Sequence, residues 1–375
     1  MGVGMRTRTA TGVVVLTLVA GSLLGGCQLA VSGVAGVSAA DQQKASRRAE
    51  QRAAVDAALT ALESQLVAVY HSTLNGADLM LRVTKGGTMQ GSLPIDGQAV
   101  QVVDVDNQLY IAASAEYWKA RGSTAGERYA KGWARAAASD LPLDPDAVLT
   151  PAGASSKLRK SLSALDPLAD PVRTKVADGT EVFEVGGELG VLKVTTAEPH
   201  RLVSFAPALL DDTKGKALGT EMRLEPITGD TVKKFHGDLD AAVGALGQPA
   251  DSVAQASVTI TDNKLECNGG SGSCTSTVSM ENAVVGGDAK SSTVHIVMTS
   301  VVSADILGTQ TCTGEVSAAP NTASTVPCTV MFKVPNRTAQ YRVTSLLSAT
   351  GDVLAAPDIN AIKQQIQSEF SALGG

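Results

Sequence analysis

Leu24-Gly25-Gly26-Cys27 sets the terms on which this chain folds, because it places a thiol directly after an apolar run that itself follows a basic start. Arg6 and Arg8 supply a positive n-region, Val13 to Leu24 an apolar h-region, and the small Gly25 and Gly26 let a peptidase reach the bond before Cys27. The tetrapeptide reads as a lipobox. Residues 1–26 are then a signal peptide, and Cys27 is the site at which diacylglycerol and palmitate are attached. A thioether needs a sulfur nucleophile, so serine is no substitute. Stable anchoring takes two acyl chains or one chain with a second signal, each buried CH₂ contributing about 0.8 kcal/mol. The alternatives are an ordinary cleaved signal or a short membrane span, but the apolar run falls short of the ~20 residues that a spanning helix needs. No later segment reaches that length, so the expectation is an exported protein held by lipid at the outer face of the cell membrane.

Export places the cysteines in an oxidising compartment. Apart from Cys27 there are four, all in the last third: Cys267, Cys274, Cys312 and Cys328. Four cysteines allow three pairings. Cys267–Cys274 and Cys312–Cys328 are favoured because each closes a local loop rich in Gly, Ser, Ala and Pro. Neither spacing matches a zinc pattern, and only His295 lies near in sequence, so no metal is expected.

At 375 residues the chain has room for two domains. Its net charge of −6, with no basic cluster outside the signal that resembles a phosphate-binding stripe, argues against nucleic acid. Lys44, Arg47, Arg48 and Arg52 form the one basic group and alternate with Glu50. They read as a solvated helix face, with weak attraction to anionic lipid heads as the other reading.

Residues 27–40 are small and uncharged and read as a tether. From Asp41 the spacing of Val55, Leu59, Leu62, Leu66 and Val69 predicts one helix with an apolar stripe. After Asn75-Gly76 the period becomes two. Leu79, Leu81 and Val83, then Met89, Leu93 and Ile95, then Val100 to Val105 and Leu109-Tyr110-Ile111 form an antiparallel meander punctuated by Gly86-Gly87, Asp96-Gly97 and Asp106-Asn107. Val100 to Val105 is apolar on both faces, so both faces are covered or one lines an apolar cavity. Ser114 caps a short helix closed by Gly122. Both tryptophans and three of the five tyrosines fall between Tyr110 and Trp133, as a plug at one end of the core or as part of a ligand site.

A helix from Pro151 to Leu165 separates this meander from a second, whose strands hold Val172 and Val176, Val182 and Phe183, Val191 to Val194, and Leu202 to Phe205. Asp230 is positioned to cap a closing helix that ends near Leu246. Gly87-Thr88-Met89-Gln90-Gly91-Ser92, Val105-Asp106-Asn107-Gln108-Leu109-Tyr110-Ile111, Tyr117-Trp118-Lys119, Gly132-Trp133, Asp178-Gly179-Thr180 and Val194-Thr195-Thr196-Ala197-Glu198-Pro199 together resemble a pattern of actinobacterial lipoproteins of the LppX/LprG type. That resemblance covers about residues 53–245. It implies an α+β domain over 41–247 in which a bent antiparallel half-barrel sheet wraps helices around an apolar cavity. The implied role is binding or carriage of an acylated lipid in the envelope, with no catalytic residues.

Residues 251–350 hold short strands rich in Val, Thr and Ser, among them Val258 to Ile260, Thr277 to Met280, Val294 to Met298, Thr329 to Phe332 and Tyr341 to Val343. This spacing predicts an all-β sandwich whose architecture resembles an Ig-like module without the core tryptophan. Asp358 caps a final helix, 356–373, with Ile359, Ile362, Ile366 and Phe370 on one stripe.

The chain carries no hydrolase elbow, HExxH, P-loop or GxGxxG. Asp140, Asp144 and Asp146 lack the glycine and glutamate of a calcium loop. The reading is therefore non-catalytic and free of cofactor: a lipid-anchored protein binding a hydrophobic ligand, with Val100, Val102, Leu109, Ile111, Val191, Val194 and Phe205 as lining candidates that serve equally well as core. The competing reading is a filled scaffold whose sandwich contacts an envelope protein or the wall. If Cys27 is the acylation site, Cys27→Ala abolishes incorporation of labelled palmitate and leaves the protein unacylated; labelling that survives the change sinks this reading.

Overall fold

The computed structural model describes residues 38–74, 76–122, 126–141, 145–163, 170–211, 215–287, 292–336 and 339–373. The signal peptide, Cys27, most of the tether, Asn75, Asp144, Leu165 and the side chain of Asp146 lie outside the described residues. The chain divides into two compact units, Met1–Gln43 and Lys44–Gly375. In the first, Ser38 accepts a hydrogen bond from the Asp41 amide (3.1 Å) at the start of helix α1 (Ala39–Ser64). The second holds all the described strands.

Helix α1 buries Ala54, Ala58, Leu59 and Leu62, which its 3.6-residue period puts on one side. It ends at Ser64, short of the stripe predicted through Leu66 and Val69. Leu66 is 39% exposed, and Val69 belongs to strand β1 (Val67–Leu74). The reason is that Val67 to Tyr70 is buried on both faces, so the strand shows no alternation and its residues fit a helical spacing by accident.

The meander follows as β2 (Ala77–Thr84), β3 (Met89–Ile95), β4 (Gln98–Val105) and β5 (Gln108–Ala112). Helix α2 (Ala115–Ala120) is capped by Ser114, which accepts from the Tyr117 amide, and Gly122 closes it at φ +78°. After α3 (Gly126–Tyr129), the three-residue β6 (Ala134–Ala136), α4 (Pro145–Val148) and α5 (Pro151–Ser163), the second meander comprises β7 (Val172–Lys175), β8 (Glu181–Gly187), β9 (Gly190–Thr195), β10 (Leu202–Phe205) and β11 (Met222–Leu224). Helix α6 (Gly229–Gly244) is capped by Thr228 rather than by Asp230. Thr228 Oγ1 accepts from the Thr231 amide, and Asp230 sits within the first turn, where a carboxylate favours the positive end of the helix dipole.

The strands of the last third are longer than their sequence spacing suggests: β12 (Ala250–Asp251), β13 (Ala254–Asn268), β14 (Ser273–Gly286), β15 (Ser292–Ala304), β16 (Gly308–Ala318), β17 (Ala323–Met331) and β18 (Val343–Ala355), before helix α7 (Ile359–Leu373). One fifteen-stranded sheet runs β16-β15-β18-β12-β6-β5-β4-β3-β2-β1-β11-β10-β9-β8-β7, and a second sheet runs β13-β14-β17. Every neighbouring pair is antiparallel except β12 and β6. The fold is therefore mixed α+β, dominated by a large antiparallel sheet, with a C-terminal helix.

Both faces of the central strands are covered. Val100 and Val102 of β4 join a core with Ala54, Ala58, Leu59 and Leu62 of α1 and Ala154 and Leu158 of α5. Val103 and Val105 point the other way, into a core with Phe235, Leu239 and Val243 of α6 and Ile362, Ile366 and Phe370 of α7. Glu369 fastens α7 to the β2–β3 turn by accepting from Thr88 Oγ1 (2.8 Å) and the Gly86 amide (3.2 Å). In the last third, Val278, Met280, Val326 and Cys328 from the small sheet pack against Val294, Ile296 and Met298 of β15. Cys267 and Cys274 pair directly across the β13–β14 hairpin. Cys312 and Cys328, although only 16 positions apart, join β16 of the large sheet to β17 of the small one.

The sheet passes from its first half to its last at β6-β12-β18, where Arg135 donates to Asp251 Oδ2 (2.5 Å) with side chains 9% and 0% exposed. Asp251 Oδ1 also accepts from the Val253 amide. Gly287, at φ +62°, lies so close that a Cβ there would stand 2.8 Å from both Arg135 and Asp251. Removing one member of a buried pair strands the other charge, so Asp251→Ala is expected to lower stability by about 3–5 kcal/mol, whereas an apolar replacement of both partners recovers most of it. Urea unfolding of the two variants measures this; a loss below about 1 kcal/mol for Asp251→Ala, the range of a solvated surface pair, shows that the pair is not closed to water.

Candidate functional site

Six of the seven residues named as lining or core candidates are buried. Val100, Val102, Leu109, Ile111, Val194 and Phe205 are each at most 4% exposed and belong to the core beneath α1 and α5. Val191 is 38% exposed. On β9 the inward residues are Leu192 and Val194, and Val191 stands an odd number of positions from Val194, so a period of two turns it to the other face.

The aromatic group divides between the two faces. Tyr117 and Trp118 are buried in the first core, with Trp118 edge-on to Tyr117 (5.0 Å) and Tyr129 (5.2 Å) and Arg121 lying 3.8 Å over the Tyr117 ring. Tyr110 and Trp133 belong to the core under α6 and α7. Tyr70 crosses the first core and donates from its hydroxyl to the Leu149 carbonyl (2.8 Å).

A cleft of about 150 Å³ opens where the last turns of α1 approach the second meander. Ala58, Ala61 and Leu62 form its helical wall, Leu202, Val203 and Leu224 its sheet wall, and Gln65, Asp178, Thr180, Thr195, Arg201 and Glu225 its polar edge. The two alanines, three apart on one face of α1, keep the helix backbone close to the slot. Asp178 accepts from the Thr180 amide (2.8 Å), which holds its carboxyl below the usual range. Glu225 is engaged by His71 (2.9 Å). Thr195 Oγ1 accepts from the Arg201 amide (2.9 Å), fixing the turn that delivers Arg201 to the edge. Sequence reasoning overlooked this site because its helical wall is built from small residues, whereas the stripe was read from the large ones.

Pockets for drug-sized ligands typically start at about 300 Å³. The slot therefore suits the end of one apolar chain rather than a whole multi-chain molecule. Among the described residues no group of three His, Cys, Asp or Glu side chains is placed to hold a metal, and no helix is long and apolar enough to cross a membrane. Asp140, one of the acidic trio, turns its carboxylate back to the Ala137 amide (3.0 Å). No protein-family model matches the chain, and no curated protein matches it either.

Burial raises the pKa of three phenols: Tyr110 and Tyr117 are each pushed up to about 12, and Tyr70 further. Below about pH 10 these groups are protonated whether the chain is folded or not, and their contribution to stability is fully present. Above that value the unfolded chain gains by ionising while the folded one does not, so stability falls as pH rises toward about 12. Absorbance at the tyrosinate band should show part of the five tyrosines ionising only in one cooperative step that coincides with loss of circular dichroism. Smooth, independent titration of all five near pH ~10 contradicts this.

Proposed function

We propose that this protein is an exported lipoprotein, held to the outer face of the cell membrane through Cys27, that binds the acyl part of an envelope lipid without catalysing a reaction. The observation that carries the reading is the slot between α1 and strands β10 and β11, with apolar walls and a polar edge bearing Arg201. An acyl chain end would enter beside Ala58 and Ala61, its burial contributing about 25 cal/mol per Å² before ordering costs, while its head group stays at the edge. On this reading the first eleven strands, with α1 and α5 on one face, are the LppX/LprG-type half-barrel that the sequence resembles; the antiparallel order of those strands supports it. Deeper loading would require α1 to move, because the interior below it is filled. The last third is read as an Ig-like sandwich, formed by the facing sheets that Cys312–Cys328 joins.

The filled interior favours a second reading. With Val100, Val102, Leu109 and Ile111 fully packed, the first part serves as a rigid scaffold, and the sandwich contacts an envelope protein or the cell wall. Its outer faces carry rows of hydroxyls, Thr309, Thr311 and Thr313 on β16 among them, which suit polar contact.

Lipid extracted from the purified, disulfide-intact protein and quantified by mass spectrometry separates the two. Under the first reading it is present at about one equivalent or is taken up from detergent-dispersed fatty acid, and Ala61→Trp, which fills the slot, removes it without altering the melting temperature. A folded protein that is empty and takes up none leaves only the scaffold.

A further inference from the structure

Helix α1 changes character along one side. From Ala54 to Leu62 the side facing the sheet is apolar and buried; continuing toward the N-terminus, the same side carries Lys44 and Arg48, flanked by Arg47 and Arg52. These four cations stand against one carboxylate on the same stretch, Glu50, in a chain whose net charge is −6. Lys44 (3.6 Å) and Arg48 (2.9 Å) share the single carboxylate of Asp170, and Glu50 is taken by Arg173 (2.8 Å). Arg47 is exposed and pairs with no carboxylate among the described residues. Lys44 and Asp170 are themselves more than half exposed, so even the shared contact is open to competition from outside.

We propose that this cationic stretch, Lys44 to Arg52, is a docking surface for an anionic phospholipid bilayer. The charge is concentrated, accessible and opposite in sign to the rest of the chain, and it follows Cys27 closely in sequence. In that setting the acyl chains hold the protein at the bilayer, and the basic patch adds electrostatic attraction to the anionic lipid heads. The patch fixes which part of the protein meets the membrane; its placement beside the bilayer rests on the proposed anchor, but its affinity for anionic lipid does not.

The test uses the unacylated chain from Gln28 to Gly375, which retains every described residue, in flotation with vesicles of phosphatidylcholine alone or with about 30 mol% phosphatidylglycerol. Binding is expected only to the anionic vesicles and is expected to fall steeply between roughly 50 and 300 mM salt. Arg47→Gln and Lys44→Gln should each weaken it about fivefold. Asp170→Asn, which releases Lys44 and Arg48 from their shared carboxylate, should strengthen it. Circular dichroism and melting of each variant verify that the fold is kept. Equal binding to neutral vesicles, no binding to either, or indifference to all three substitutions overturns the proposal. Ala61→Trp should leave vesicle binding unchanged, so loss of ligand from the slot and loss of docking are read separately.

Discussion

Arg135 and Asp251 are a charge pair closed off from water at the one place where the large sheet pairs two strands in parallel, and the architecture turns on it. Strands β6 and β12 are only three and two residues long, too short to hold two halves of a sheet together by ladder hydrogen bonds alone. The ion pair, the Val253 amide and the close approach of Gly287, where no side chain fits, make that short seam specific. Burying charge is costly even when it is paired. What the arrangement secures is register: neither strand can slide without leaving a charge unpartnered inside the protein.

The second constraint is coverage. A sheet with apolar residues on both sides needs a layer on each, and here the layers come from distant parts of the chain: α1 and α5 on one face, α6 and α7 on the other. The small residues of α1 let it lie close to the strands, and the same smallness leaves the slot at its C-terminal end. The slot and the tight packing are thus consequences of one choice of side chain, alanine, made at neighbouring turns.

Much of the strand pattern could be read from the sequence because the turns announce themselves: Asp96, Asp106 and Asn107 all adopt positive φ where hairpins close, and Asn or Asp before Gly marked several of them. The pairing of Cys267 with Cys274 followed from proximity in sequence. What escaped were elements without a period. β6, β11 and β12 are too short to show alternation, and β1 is buried on both faces, so its residues passed for a continuation of α1. That Cys312–Cys328 bridges two sheets, and that Val191 faces outward, depend on register between distant segments, which local spacing does not encode.

The position of α7 has a consequence for how the protein comes to be. The strands it covers, β1, β4 and β5, are among the first to be synthesised, and α7 is the last of the described elements. At roughly 5–20 residues per second, tens of seconds separate the two. Until α7 docks, Val67, Val69, Val103, Val105 and Tyr110 lack the part of their cover that Ile362, Ile366 and Phe370 supply. A chain interrupted before Phe370 leaves that face of its oldest strands with α6 as its main cover.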